Sequence, residues 1–383
     1  MSTAEPVKPA STFVKGLDGV VAVQTSLSSV DGQRGVLTYR GINIHELAEK
    51  AHYEEVVYLL WYGTLPNRKE LADLEARLAA NRPVPDQIII LLRNTPDNAV
   101  PMVVLRNAVG ALAMSDPEAE DISPEATRRK AERLTAQMGT VLAAYHRIRN
   151  HLEPIEPDSR LGHTPNLLYM LTGDQPDPLS VRALDLYQVL LAEHGMNAST
   201  FTARVVASTQ ADLHSAVAGA LGSLKGPLHG GAAEATMRTL FEIGEPEKAD
   251  AFVENAFKTK RKIMGIGHRI YKTGDPRAMH LQKWGQLLGE RRGELKWFKI
   301  LKEVEQAVYR YRQLYPNVDF FSSTMLYYIG IPVDMFTPMF AASRIAGWSA
   351  HVIEQYADDV LIRPQSEFIG PAEQHYVPID ERE

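Results

Sequence analysis

The chain has 383 residues, 45% of them hydrophobic and 23% charged, with 41 basic against 47 acidic side chains and a formal charge of −6. This is an ordinary globular composition, too acidic for a general nucleic-acid binder and long enough for one large domain with an insertion or for two to three smaller ones. It has no cysteine, which excludes disulfides, cysteine-zinc and iron–sulfur sites and a thiol nucleophile, and fits a reducing, cytoplasmic setting.

Residues 1–15 are small and polar and are expected to form a flexible tail. They lack the apolar stretch and cleavage pattern of a secretion signal, and no later segment approaches the roughly 18 apolar residues of a membrane span. From Val20 to Arg40 branched and polar residues alternate around Asp31-Gly32, predicting a small N-terminal β-hairpin. After Gly41 apolar residues recur at spacings of three and four, as in Ile44, Leu47, Ala48 and Ala51, then Val56, Tyr58, Leu59 and Leu60; this is a helical pattern. Similar stretches follow at 68–80, 98–114, 124–150, 180–193, 198–223, 231–242, 247–262, 278–290, 296–314 and 335–356, divided by Gly- and Pro-bearing breaks. No repeat of 20 to 50 residues appears, so the fold class is mainly α, a packed helical globule rather than a solenoid.

Between Lys258 and Arg277 stand seven basic residues and one acid, Asp275, a local +6 that leaves −12 on the rest of the chain. A solvated helix end is one reading. The other is a polyanion site, because Gly265-Ile-Gly267 within the run frees backbone N–H groups to approach an anion.

Three of the twelve histidines stand beside glycine at predicted helix boundaries: His194 in EHGMNAST, His229 in GPLHGG and His268 in GIGHR. A helix N-terminus nearby lowers an imidazole's pKa, so neutral, hydrogen-bond-donating rings are expected. Asp319, in NVDFFSS, has apolar neighbours that disfavour its charged form and make it a better base; a helix N-cap is the alternative. Arg277, Arg344 and Arg363 stand near predicted breaks and together would suit a dicarboxylate, though each alone also reads as a surface ion pair. The P-loop, HExxH, GxSxG and dinucleotide-binding motifs are missing. Glu49-Lys-Ala-His52 has di-iron spacing but no second copy, so it reads as a helix face and no metal is expected.

Together EHGMNAST, KGPLHGG, MGIGHRIYKTGDPR, NVDFFSS, SRIAGW and IRPQS, in this order across about residues 17–370, resemble the citrate synthase family. The resemblance implies a mostly α homodimer with a large domain of 16–231 plus 325–383, a small domain of 232–324 and an active site in the cleft between them. Asp319 then matches the base that takes a methyl proton from acetyl-CoA, and His229 the donor to the thioester oxygen. His268 matches the group that polarises the oxaloacetate ketone. His194, Arg277, Arg344 and Arg363 match the dicarboxylate clamp, Arg363 reaching in from the other subunit. Ser199, with Asn197, matches the support of His229; Lys262, Gly265, Gly267 and Lys272 match part of the CoA site. No metal or redox cofactor is implied, acetyl-CoA being a substrate. Ala233 stands where the family often has asparagine, and Phe321 and Ser323 where Tyr and Gly are frequent. The beginning of the chain suggests a simple dimer without NADH control. The same machinery acting on propionyl-CoA would give 2-methylcitrate. A non-catalytic helical scaffold would call for a lost catalytic residue, and none is lost.

Overall fold

A computed structural model describes residues 13–371 and 373–382; most of the expected N-terminal tail, residues 1–12, lies outside the described residues. The chain divides into two compact units, residues 25–361 and the terminal segments 1–24 with 362–383. The described part of the terminal unit has two short 3-10 turns, Lys15–Leu17 and Ile379–Glu381, and Arg382 lies over the Tyr376 ring at 5.4 Å.

The larger unit opens with three antiparallel strands, β1 (Ser28–Asp31), β2 (Val36–Tyr39) and β3 (Ile42–Asn43), in the order β1-β2-β3. The register sets Val30 opposite Leu37 and Tyr39 opposite Ile42. The expected hairpin is present, with two corrections. Its turn spans residues 32–35, where Asp31 Oδ1 accepts the N–H groups of Gln33 (3.0 Å) and Arg34 (2.9 Å), and the positive φ falls on Gly35, not Gly32. A second hairpin follows, turned by Arg40 (φ 48°) and Gly41 (φ 84°), the paired positive values that a two-residue type I′ turn demands.

The helices follow in order: α1 (Ile44–Lys50), α2 (Tyr53–Tyr62), α3 (Arg68–Ala80), α4 (Asp86–Arg93), α5 (Pro101–Leu112), α6 (Pro124–Arg149), α7 (His163–Thr172), α8 (Pro178–Leu191), α9 (Ala198–Ala207), α10 (Leu213–Leu224), α11 (Ala232–Ile243), α12 (Ala249–Lys258), α13 (Ala278–Arg292), α14 (Lys296–Arg312), α15 (Val318–Ile329) and α16 (Phe336–Asp358). α4, α7 and α15 fall outside the predicted stretches. The stretch predicted as one helix over 198–223 is two. Gln210 takes φ 63°, and Asp212 restarts the helix by accepting the Ser215 N–H at 3.0 Å.

α16 is the central rod. Its apolar residues run all round the helix, the signature of a helix with no solvent face, and α2, α6, α8, α9 and α10 pack on it. Phe336, Ile345, Trp348 and Val352 are fully buried along it, each contributing roughly 1.5 to 3 kcal/mol of transfer free energy. A second layer pairs α13 with α15, α11 with α15 and α12 with α14.

Candidate active site

The three candidate histidines stand at breaks between helices. Where α8 ends, Glu193-His194-Gly195 turns the chain, Gly195 taking φ 57°, and Asn197 caps α9 by accepting the Thr200 N–H at 3.1 Å. His194 is buried there. His229 lies in the loop between α10 and α11, its own N–H donating to Gly226 O at 2.9 Å. His268 lies in the loop between α12 and α13.

That loop is tied to the start of α15 by a short antiparallel contact. Asn317 N–H donates to Gly265 O (2.9 Å), Gly267 N–H to Tyr315 O (2.8 Å), and Asn317 Nδ2 to Gly267 O (2.8 Å). Gly265 has φ 76°, and a Cβ there would lie 2.9 Å from the Phe320 Cα, so only glycine permits the approach. His268 and Asp319, 51 positions apart in the sequence, are thereby fixed on adjoining strands of backbone. Asn317 also caps α15, accepting the Asp319 N–H at 3.0 Å. The alternative role of Asp319 as N-cap is therefore corrected: Asn317 does that work and Asp319 sits in the first turn with its carboxylate uncommitted to capping. For Gly267 the reading of a freed amide is corrected, since its N–H is spent on Tyr315.

Two buried arginines are the electrostatic centre. Arg277 is gripped by Asp275, Nε to Oδ1 at 2.9 Å and Nη2 to Oδ2 at 2.8 Å, and Asp275 Oδ2 also accepts the Val318 N–H at 3.0 Å. Arg344, on α16, donates through Nε to Leu191 O at 2.5 Å and lies over the Phe340 ring at 4.7 Å. The His229 ring meets the same Phe340 edge to face at 6.4 Å, and the His194 and His268 rings meet edge to face at 5.4 Å.

Tautomers follow from the hydrogen bonds. His268 Nδ1 accepts the N–H groups of Ile270 (3.1 Å) and Tyr271 (3.2 Å), so its proton is on Nε2. His229 Nε2 accepts the Ser199 N–H at 3.3 Å and lies 2.9 Å from Ser199 Oγ, so its proton is on Nδ1. Ser199 Oγ is itself held by Asn197 Oδ1 (2.8 Å) and by the indole N–H of Trp348 (3.2 Å).

Burial lowers the pKa of His229 to about 4, helped by Arg344, and that of His268 to about 4, helped by Arg277. Burial, then Arg277 and Arg344, hold His194 well below the ordinary range. The rings are neutral as the sequence suggests, but desolvation and guanidinium charge are the causes, not the helix N-termini expected. Asp319 goes the other way. The protein crowded around it pushes its pKa up to about 7, against the pull of Arg277 and Arg344 and with the help of Asp275. The group can accept a proton near neutrality from a weakly acidic carbon whose developing charge meets a neutral N–H donor.

His194, His229, His268, Arg277, Asp319 and Arg344 thus share one electrostatic neighbourhood, with Asn197 and Ser199 behind His229. Lys262 and Lys272 are exposed. Arg363 is exposed and belongs to the terminal unit. Among the described residues no group of three His, Asp or Glu could hold a metal ion. Hollows of about 430 and 260 Å³ along α13 include Met279 and Lys283 and none of these groups. Sequence reasoning missed Tyr271, Trp348 and Phe340, and counted Asp275 only as a charge. The one available signal was the adjacency of Asp275 to Arg277.

The family model "Citrate synthase, C-terminal domain" matches residues 16–365. Citrate synthase 2 of Bacillus subtilis is 46% identical over 97% of this chain and 100% of its own length. 2-Methylcitrate synthase 2 of Corynebacterium glutamicum is 41% identical over 96% and 97%. Among solved structures, citrate synthase from Pyrobaculum aerophilum aligns with a TM-score of 0.91 at 41% identity, covering 100% of both chains. The ternary complex of carboxymethyl coenzyme A and oxaloacetate with citrate synthase from Thermoplasma acidophilum aligns with a TM-score of 0.92 at 32% identity, covering 97% of this chain and 100% of that one. With a match along nearly its whole length in sequence and in fold, the chain belongs to the citrate synthase family.

Proposed function

We propose that the chain condenses acetyl-CoA with oxaloacetate and hydrolyses the resulting citryl-CoA to citrate and CoA. The observation that carries this is the gathering of one carboxylate with a raised pKa and two neutral imidazoles of defined tautomer around two buried guanidiniums. Asp319 takes a proton from the acetyl methyl group. A thioester's α-proton is too weakly acidic for a carboxylate acting alone, so charge arising on the thioester oxygen must meet a prearranged donor, and His229 Nδ1–H supplies it. The enol carbon bonds to the ketone carbon of oxaloacetate, the carbonyl electron pair moves to oxygen, and His268 Nε2–H protonates that oxygen. His194, Arg277 and Arg344 hold the two carboxylates. Water then adds to the thioester and CoA departs as the thiol.

Asn197 and Ser199 keep His229 in its donor tautomer. Lys262, Gly265, Gly267 and Lys272 belong to the CoA site, a role supported by the +6 charge of residues 258–277. On the same reading, 232–324 is a small domain closing on 16–231 plus 325–383, and the reaction needs no metal or redox cofactor. The enzyme is a cytoplasmic homodimer in which Arg363 of each chain enters the other subunit's site.

Relatives named for both products favour a second reading, propionyl-CoA giving 2-methylcitrate. One methylene separates the substrates, worth only about 1 to 3 kcal/mol in an apolar pocket. Because the chain has no cysteine, released CoA can be followed with a thiol reagent free of protein background. Faster release with acetyl-CoA than with propionyl-CoA, and only when oxaloacetate is present, is the expected result. The reverse ranking selects the second reading, and silence with both removes both.

A further inference from the structure

Tyr271 is buried, 4% exposed, in the loop between α12 and α13, and no step above uses it. Its ring lies 4.7 Å from that of His268 and 5.5 Å from that of His194. Its Oη is 2.9 Å from His194 Nε2, and its main-chain N–H is one of the two donors that fix His268 Nδ1 as an acceptor. The tip of the first hairpin secures this loop from outside. Lys272 N–H donates to Gly32 O at 2.9 Å, and a Cβ on Gly32 would lie 2.2 Å from Ile270 O.

The direction of the phenol bond can be worked out. Burial raises the pKa of Tyr271, so the phenol keeps its proton. The groups facing His194 are Arg277 at the start of α13, Arg344 on α16 and His268 in the loop, and all three disfavour an imidazolium. Among the described residues His194 Nε2 is the hydrogen-bond partner of the buried phenol, and a buried O–H needs an acceptor. Nε2 therefore carries the lone pair and accepts from the phenol.

We infer that Tyr271 is a positioning residue for the keto-diacid end of the reaction: its hydroxyl sets the ring and tautomer of His194 while its main chain sets the tautomer of His268, so the two imidazoles are arranged as a unit. This rests on the function proposed above.

Tyr271→Phe keeps the ring and removes the bond. The expected result is an apparent oxaloacetate KM raised about tenfold, the scale of one ordinary hydrogen bond, with kcat and the acyl-CoA KM within about threefold of wild type. Tyr271→Leu, which also removes the ring contact with His268, should lower kcat as well. Imidazole ¹⁵N NMR of the wild-type protein, free of substrate, should report His194 protonated on Nδ1, and the Phe variant should gain the Nε2–H form. An unchanged oxaloacetate KM in a folded Phe variant, or Nε2–H on His194 in wild type, overturns the inference. The NMR measurement needs no turnover, so it stays decisive if the Phe variant fails to fold. A wild-type protein that releases no CoA from any acyl-CoA would instead remove the function.

Discussion

In the proposed mechanism Asp319 ties activity and stability to the same proton. Its pKa stands at about 7 in the folded protein against an ordinary 3.8, so between those values the folded state binds the proton and the unfolded chain does not. The stability this group contributes is fully present below pH 3.8 and is lost as pH rises through about 7. Asp319→Asn removes the buried charge, so its melting temperature should exceed that of wild type at pH 8, and the gain should shrink at pH 5. Turnover of the same variant should fall by about 10² to 10⁴; near-normal turnover would assign the base elsewhere. Wild-type kcat/KM should decline with acid through an apparent pKa near 7, while His229 and His268, with pKa values of about 4, stay neutral throughout. These groups were legible in the sequence because a titratable residue beside a glycine or an aromatic pair, at a helix break, is already an unusual environment. Tyr271 was not legible, since its hydroxyl partner lies 77 positions away and nothing local distinguishes a phenol that orients a histidine from one that fills a core. Asp275 was visible only as a charge, because its second bond, to the Val318 N–H, joins segments 43 positions apart.

Among the elements, α16 carries the tightest constraint. Gly347 lets it lie against the end of α8: a Cβ there would sit 2.3 Å from Ala192 O and 2.4 Å from Glu193 Oε2. Glu193 is locked in turn by His351 Nε2 (3.0 Å) and Ser28 Oγ (2.9 Å), so it cannot step aside cheaply. Gly347→Ala must push α16 off the 192–194 segment, and Arg344, one turn earlier, moves with it relative to His194. Urea unfolding should register a loss of about 1 to 3 kcal/mol or more, and the oxaloacetate requirement should rise more than the acyl-CoA requirement. A variant unchanged in both would show that the clamp does not depend on this contact. The long helices could be read from apolar spacing because burial of one face, or of every face in α16, leaves a periodic trace. α7 and α15 were missed because a ten- to twelve-residue apolar run flanked by Pro or Gly has little periodicity to display, and α4 because its eight residues make little more than two turns. The pairing of 265–267 with 315–317 leaves only Gly265 and Asn317 as its trace, since its other bonds are made by the backbone.

At the scale of the whole molecule, the proposed function gives Arg363 a place in the dicarboxylate clamp beside His194, Arg277 and Arg344. His194, Arg277 and Arg344 converge in the larger unit, whereas Arg363 is an exposed residue of the terminal unit. In the proposed homodimer each site borrows Arg363 from the other subunit, and a complementation experiment separates that arrangement from one in which each chain uses its own arginine. Arg363→Ala homodimers should need far more oxaloacetate, and Asp319→Asn homodimers should hardly turn over. In a mixed dimer with arginine supplied in trans, one site combines an intact Asp319 with the partner's intact Arg363, and the other carries both defects. One site in two then works, so each mixed dimer should recover about half of wild-type activity, and random 1:1 mixing about a quarter overall. If the arginine acts in cis, every site of the mixed dimer carries one defect or the other and mixing recovers nothing. Subunit exchange monitored by mass, followed by CoA release at limiting oxaloacetate, reads the difference directly.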